Sequence, residues 1–357
     1  MIKIAVYGIC KNEEMNAKSW LENVKAADYV VVGDTGSSDS TVEILQKQGA
    51  KVVDIHVTPW RFDDARNELL KHIPEWVDIC ISLDFDERLN ENWREAINAV
   101  WTESATKLTY QYVERFVENY SVENSIITSR IHRLRGYKWV YPVHETLKYT
   151  LGKGEQVVFC PGLKICHTPD RTKDRSGYLT LMERLVEENP ENLMFSFSLG
   201  QLYFRNGQFD TCIHMMEKIL QQPHAAKDLI VACERYLCRA YAEKGQYNFS
   251  KKKLLQLIDQ YPQCSSSYAE LCTIAYKKGD METIIELENK FSAIDFHHKS
   301  VYNEFANVPS LLYDISSFAY FHKQNYPKAL KLAQKALNLD PQNERLKKNI
   351  ERIKEFV

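Results

Sequence analysis

The sequence has no run long and apolar enough to span a membrane, no excess of charge of either sign, and no paired-cysteine signature. Lysine and arginine together number 46 against 48 aspartate plus glutamate, a formal charge of −2, so there is no basic footprint for nucleic acid or an anionic membrane surface. Glycine and proline are sparse, 13 and 11 residues beside 44% hydrophobic and 26% charged residues, which excludes collagen-like and disordered chains and leaves ordinary globular protein. None of the nine cysteines forms a C-x-x-C, against a zinc ribbon or a dithiol redox motif. Their odd count and the lack of a secretion signal read as reduced thiols packed as small apolar residues, and so as a cytoplasmic protein. The apolar opening Ile2–Cys10 carries Lys3 and runs into Lys11-Asn12-Glu13-Glu14 without a small-residue cleavage site. It reads as a buried first strand rather than a signal peptide or membrane segment.

What is present is order. With 357 residues, two domains are expected at roughly 150 residues each. The first half alternates apolar runs with amphipathic stretches: Ile2–Cys10, a helical Glu13–Lys25, Tyr29–Gly33, a helical Ser40–Gln48, Lys51–Val57, a helical Phe62–His72 and Asp78–Leu83. That alternation predicts a mostly parallel sheet covered by helices. Ser40-Thr41-Val42-Glu43 fits a capping box, and Gly49 a helix stop. Between Lys107 and Cys166 the runs become β-branched and aromatic (Leu108–Phe116, Ser125–Leu134, Tyr137–Val143, Gln156–Cys160, Leu163–Cys166), predicting strands that return antiparallel beside that sheet.

Beyond Pro169 strand signals stop, and the expected domains are residues 1–172 and 173–357. In the second, an aromatic-x3-Gly-x-aromatic turn at Gly207 and Gly245 is followed by the related Tyr276…Gly279-Asp280-Met281, the glycines 38 and 34 residues apart, with a fourth turn at Tyr320…Asn325-Tyr326-Pro327. Helix pairs repeating at about 34 residues are what tetratricopeptide-type repeats look like. An irregular insert, Ala293–Pro309, precedes the last repeat, and Glu344–Val357 reads as a charged capping helix.

In an open α/β sheet, ligands bind beyond the carboxyl ends of the strands. The residues there are Cys10-Lys11-Asn12-Glu13, Asp34-Thr35-Gly36-Ser37-Ser38-Asp39 and Asp84-Phe85-Asp86-Glu87. No G-x-G-x-x-G and no Walker motif occurs, against dinucleotide and P-loop enzymes. Closely spaced carboxylates facing a phosphorylated ligand need a cation between them, and they are hard oxygen ligands for Mg²⁺ or Mn²⁺. The alternative for Asp84-x-Asp86-Glu87 is a solvated helix start rich in acidic residues.

The order strand–Asn12-Glu13-Glu14, strand–Asp34-Thr35-Gly36-Ser37-Ser38-Asp39-Ser40-Thr41, Trp60-x5-Arg66-Asn67 and Leu83-Asp84-Phe85-Asp86 resembles the glycosyltransferase family 2 domain, over residues 1–170. The resemblance implies a GT-A fold, a Rossmann-like mixed sheet, followed here by the all-α repeat domain. With Val143-His144-Glu145, Cys166-His167 and the repeats added, the chain is similar to bacterial glycosyltransferases with a tetratricopeptide region, the sublancin-type bacteriocin S-glycosyltransferases among them. It implies that Asp34 contacts the nucleoside base, that Asp84 reaches the ribose or a metal-bound water, and that Asp86 and His167 hold a Mn²⁺ or Mg²⁺ on the diphosphate. Arg66 would bridge to phosphate, its alternative being a helix-surface salt bridge with Asp63 or Glu68. Lys11 or Asn12 would line the nucleoside, by their place in the first loop. Phe85 and Glu87, flanking the aspartates, depart from relatives that carry a small and a neutral residue there.

The reaction implied is transfer of a hexose from a nucleotide sugar, UDP-linked, with inversion. Glu145, or else His144, is the expected general base, because both follow the antiparallel strands. Trp60, Phe62 and Trp139 are candidates for a sugar-stacking floor or for core. Stacked helix pairs suit an extended peptide or protein acceptor, or a homodimer contact. The competing readings are a glycan-core transferase and a non-catalytic repeat adaptor. No nucleic-acid partner and no membrane span are expected.

Overall fold

In a computed structural model, the described residues are 2–115, 123–169, 177–292, 294 and 308–357. The end of the strand expected to reach Phe116, and nearly all of the expected insert, lie outside them. The chain divides into two compact units, Met1–Leu185 and Val186–Val357.

The first unit runs β1 (Ile4–Cys10), α1 (Glu14–Val24), β2 (Tyr29–Asp34), α2 (Thr41–Lys47), β3 (Lys51–Asp54), α3 (Phe62–Leu70), β4 (Ile79–Ser82), β5 (Glu87–Leu89), α4 (Trp93–Val100), β6 (Lys107–Arg115), β7 (Glu123–Arg133), β8 (Tyr137–Val140), β9 (Thr146–Tyr149), β10 (Val157–His167) and the start of α5 (Tyr178–Glu188). Eight strands form one sheet in the order β3-β2-β1-β4-β7-β6-β10-β5. β1 is apolar throughout because it is covered on both faces. Ile4 and Val6 pack with Trp20 and Val24 of α1, Leu45 of α2 and Ile97 of α4, whereas Ala5 and Tyr7 pack with Ala65 and Leu69 of α3.

The later strands depart from the expectation. β7 is antiparallel to β4 and β6, but β10 pairs with β6 in parallel and with β5 antiparallel. The two runs expected as separate strands, Gln156–Cys160 and Leu163–Cys166, form the single β10, whose register slips between Phe159 and Lys164. Pro161 lies in that slip; a proline cannot donate to the ladder, so the run looks interrupted in sequence. β8 and β9 form a separate hairpin that packs Trp139 and Leu147 into the α3 side of the core. The capping box is also different in detail. Ser40 makes no side-chain cap hydrogen bond; Asp39 Oδ1 accepts from the Thr41 N–H instead.

The second unit is helical: α6 (Leu193–Arg205), α7 (Phe209–Leu220), α8 (Lys227–Glu243), α9 (Tyr247–Gln260), α10 (Ser265–Lys278), α11 (Met281–Phe291), α12 (Val308–His322), α13 (Tyr326–Leu339) and α14 (Glu344–Lys354). Gly207, Gly245 and Gly279 take left-handed φ values of 73°, 83° and 72° between paired helices, where a side chain would be strained. In the fourth pair Gln324 holds that place with φ 59°, and Asn325 instead caps α13 by accepting from the Lys328 N–H. Neighbouring pairs are tied by Tyr247 Oη and Lys251 Nζ, which donate to Asp280 Oδ2 at 2.7 and 3.0 Å. Among the described residues no helix is long and apolar enough to cross a membrane.

Candidate active site at the carboxyl edge of the sheet

Three parallel strands bring the sequence-separated carboxylates together. In the β2-β1-β4 ladder Cys10 stands opposite Asp34 and Tyr7 opposite Ser82, so the loops after all three strands open on one edge. The β4 loop is pressed against β1. A Cβ on Gly8 would lie 2.4 Å from the Leu83 carbonyl oxygen, and Trp20 Nε1 donates to the Asp84 carbonyl at 3.1 Å. These contacts fix where Asp84 and Asp86 begin.

Arg66 projects from α3 into this edge with 3% of its side chain exposed. Its fork donates in three directions: Nη2 to Asp84 Oδ1 at 2.7 Å, Nε to Glu145 Oε1 at 2.8 Å and Nη1 to Ser82 Oγ at 3.0 Å. The guanidinium stacks over Trp139 at 5.2 Å. From the other side Arg130 of β7 donates Nη1 to Asp84 Oδ2 at 2.9 Å and to Glu87 Oε1 at 3.0 Å. Glu87 also accepts from the Asp84 N–H and from Tyr112 Oη. Burial acts to raise the Asp84 carboxyl, but Arg66 and Arg130 outweigh it and hold it well below the usual carboxylate range. Asp84 is thus an anion clamped between two guanidiniums. The expected alternative for Arg66, a pair with Asp63 or Glu68, is not what forms: Asp63 pairs with Arg61 and Glu68 with Lys71.

Asp86 points elsewhere. Its Oδ2 lies 3.2 Å from His167 Nε2, because β5 pairs antiparallel with the end of β10 and sets His167 opposite Glu87. Two donors on one octahedral cation, each about 2.1 Å away, stand about 3 Å apart. One carboxylate and one imidazole at this spacing would fit two ligand positions of a Mn²⁺ or Mg²⁺. Among the described residues there is no group of three or more His, Cys, Asp or Glu that could hold a metal ion.

The nucleoside-side candidates have structural work of their own. Asp34 is buried, and its carboxylate accepts from the Gly36 and Ser37 N–H groups at 3.1 Å, holding its own turn. Asn12, at φ 55°, accepts from the Ser38 N–H at 2.8 Å and donates its own N–H to Ser37 Oγ. The first loop and the 34–38 loop are thereby one unit, with Lys11 exposed beside it.

The loop between β8 and β9 is tied to α3. The Phe62 N–H donates to the Pro142 carbonyl, and Asn67 brackets Trp139 through its backbone N–H and carbonyl. Two non-glycine residues of this loop, Tyr141 and His144, take left-handed φ values of 83° and 53°, backbone strain that concentrates at functional sites. His144 Nε2 meets Tyr178 Oη at 2.7 Å. Of the three aromatics, Trp139 is core, donating Nε1 to Tyr7 Oη, while Trp60 and Phe62 pack edge to face at 5.3 Å and are partly exposed.

The structure adds Arg130, Ser82, Tyr112 and Tyr178 to the site. Arg130 carried one signal in the sequence, a lone charge within the largely β-branched stretch Ile126–Ile131; the others carried none.

No family model matches the sequence. Over 102 residues, 28% of this chain, it is 31% identical to an uncharacterized glycosyltransferase of Rickettsia conorii. Over 104 residues it is 32% identical to an uncharacterized glycosyltransferase of Rickettsia typhi. The match spans about a third of each relative's length, 34% in both. Among solved structures, MamA is 17% identical with a TM-score of 0.36, covering 48% of this chain and 91% of its own. Glucosyl-3-phosphoglycerate synthase from Mycobacterium tuberculosis, in complex with Mn²⁺, UDP and phosphoglyceric acid, is 21% identical with a TM-score of 0.27, covering 31% of this chain and 43% of its own. The geometry of the site and the similarity to the rickettsial proteins are what bear on function.

Proposed function

We propose that the first unit is a GT-A-type, metal-dependent glycosyltransferase that moves a hexose, with inversion, from a UDP-linked sugar to a Cys or Ser/Thr side chain of a peptide or protein. The observation that carries this reading is the Asp86–His167 pair, 3.2 Å apart, at a sheet edge that also holds the Arg66–Asp84–Arg130 clamp. The similarity to rickettsial proteins named glycosyltransferases supports it.

In this reading the nucleoside lies along the joined first and second loops, beside Lys11, Asn12 and Asp34. Asp84, with both oxygens held by arginines, is a fixed acceptor for a ribose hydroxyl. Asp86 and His167 would hold the cation, which when bound would supply Lewis-acid neutralisation of charge on the departing diphosphate. Arg66 and Arg130 hold the Asp84 carboxylate in place at this edge. The loop carrying His144 and Glu145 supplies the general base that takes the acceptor's proton. The helix pairs of the second unit supply a surface for an extended peptide acceptor, in keeping with the resemblance to S-glycosyltransferases of peptides.

The test is thermal unfolding with UDP, GDP and dTDP, each with and without Mn²⁺, on wild type and Asp86→Ala. A ligand at about 100 times its dissociation constant stabilises the native state by about 2.7 kcal/mol. The expected result is stabilisation by UDP that requires metal and is lost in Asp86→Ala. If no nucleotide shifts the wild type with metal present, the donor-site reading is wrong and the repeat adaptor takes its place.

A further inference from the structure

We infer that the acceptor's proton leaves through Tyr178 and His144, and that Glu145 and Arg66 are positioning residues rather than the base. This rests on the transferase reading above. Glu145 was the stronger expectation from sequence, but its Oε1 accepts from Arg66 Nε at 2.8 Å, with 11% of the Glu145 side chain and 3% of the Arg66 side chain exposed. That carboxylate is committed to the buried Arg66 guanidinium, and breaking the pair to serve an acceptor would uncouple a buried ion pair. His144 is the adjacent residue and is exposed. Its backbone is held at φ 53°, and its ring meets Tyr178 edge on, with Nε2 2.7 Å from Tyr178 Oη. The loop is tied by the Arg66–Glu145 pair and by the Tyr178–His144 contact. A left-handed φ at a non-glycine residue persists only where the surroundings over-determine it.

The step balances as follows. The acceptor sulfur or oxygen forms its bond to the anomeric carbon while the anomeric carbon–oxygen bond to the diphosphate breaks, its electron pair leaving with the diphosphate. The acceptor's proton passes to Tyr178 Oη as the tyrosine's own proton passes to His144 Nε2. The resulting imidazolium, facing solvent, then releases its proton to water. An imidazole suits this task because its ordinary pKa of about 6.5 lies close to neutral pH.

The experiment uses the full chain with Mn²⁺ and three donors, UDP-glucose, UDP-galactose and UDP-N-acetylglucosamine, with water as acceptor. The best donor's kcat is followed from pH 5 to 9 in wild type, Tyr178→Phe, His144→Gln and Glu145→Gln, and UDP affinity is measured on each to show that the donor site is intact. The wild type is expected to lose rate on the acid side with an apparent pKa in the imidazole range. His144→Gln should lose about 100-fold in kcat, with UDP affinity within twofold, and should lose the acid limb. Tyr178→Phe should lose a comparable factor with UDP affinity equally unchanged. Glu145→Gln should be slower yet keep the limb. An acid limb that survives in His144→Gln, or one that vanishes in Glu145→Gln while the other two variants turn over normally, overturns the inference and leaves the transferase reading standing. A wild type that neither binds UDP nor consumes any donor overturns both.

Discussion

Arg66 Nη2 stands 2.7 Å from Asp84 Oδ1, a buried cation from a helix meeting a carboxylate from a strand end. The same guanidinium also reaches Ser82 and Glu145. Removing one member of a buried ion network leaves the others uncompensated, at a cost of roughly 3–5 kcal/mol. Arg66→Met is therefore expected to lower unfolding stability by that order in a urea titration. Arg66→Lys should recover little of it, because a single ammonium cannot serve three directions at once.

Gly8 and Gly33 both sit in central strands, yet their substitutions should differ. An added Cβ at Gly8 would lie 2.4 Å from the Leu83 backbone oxygen, whereas at Gly33 the nearest atom is Ile55 Cγ1 at 2.9 Å. Side-chain ends can shift and a carbonyl at the start of the acidic loop cannot without moving Asp84. Gly8→Ala is expected to cost about 2–3 kcal/mol and to weaken metal-dependent UDP binding. Gly33→Ala should cost less and leave UDP binding intact, as calorimetric titration would show.

His132 gives a pH signature. It is fully buried, bonded to Tyr7 Oη and to the Arg133 carbonyl, and burial pushes its imidazole down to about 4. Its unfolded pKa is about 6.5, so between those values the unfolded chain binds more protons and stability is lost as the pH falls. The contribution is present in full above about pH 6.5, and roughly 3 kcal/mol of it is gone by pH 4. Unfolding midpoints measured from pH 7 to pH 4 should fall in wild type, and His132→Gln should flatten that part of the curve.

His167 is expected to control metal affinity and not the fold. His167→Ala should weaken Mn²⁺ binding in the presence of UDP by about tenfold or more, while its unfolding temperature without ligands stays within a few degrees of wild type. Manganese titration followed by electron spin resonance separates the two. Unchanged affinity would remove His167 from the cation site.

In the second unit Asp280 caps α11 through the Thr283 N–H and also receives Tyr247 and Lys251 of the preceding pair. Asp280→Ala should cost about 2 kcal/mol, more than an isolated cap at about 1 kcal/mol, because the neighbouring pair loses its tie as well. Once Asp280→Ala is in place, adding Tyr247→Phe should cost almost nothing further, the mark of coupling in a double-mutant cycle.

By itself the sequence determined the periodic parts of this protein. The apolar runs of β1 and β4, the amphipathic stretches of α1 and α3, and the glycine-marked turns at 207, 245 and 279 were all legible, because local patterning reports burial and turn geometry directly. The carboxylates after β2 and β4 were legible too, since strand ends place their residues on one edge whatever the side chains do. What only tertiary structure decided is which of those side chains meet. Arg66 finds Asp84 and Glu145 rather than its helix neighbours, Arg130 enters the site from a strand whose sequence reads as sheet, and Pro161 interrupts the pattern of β10 without ending the strand. His167 reaches Asp86 through a three-residue strand too short to show a period. Those meetings depend on strand order and register between segments far apart in the chain, and no pattern within a single segment encodes them.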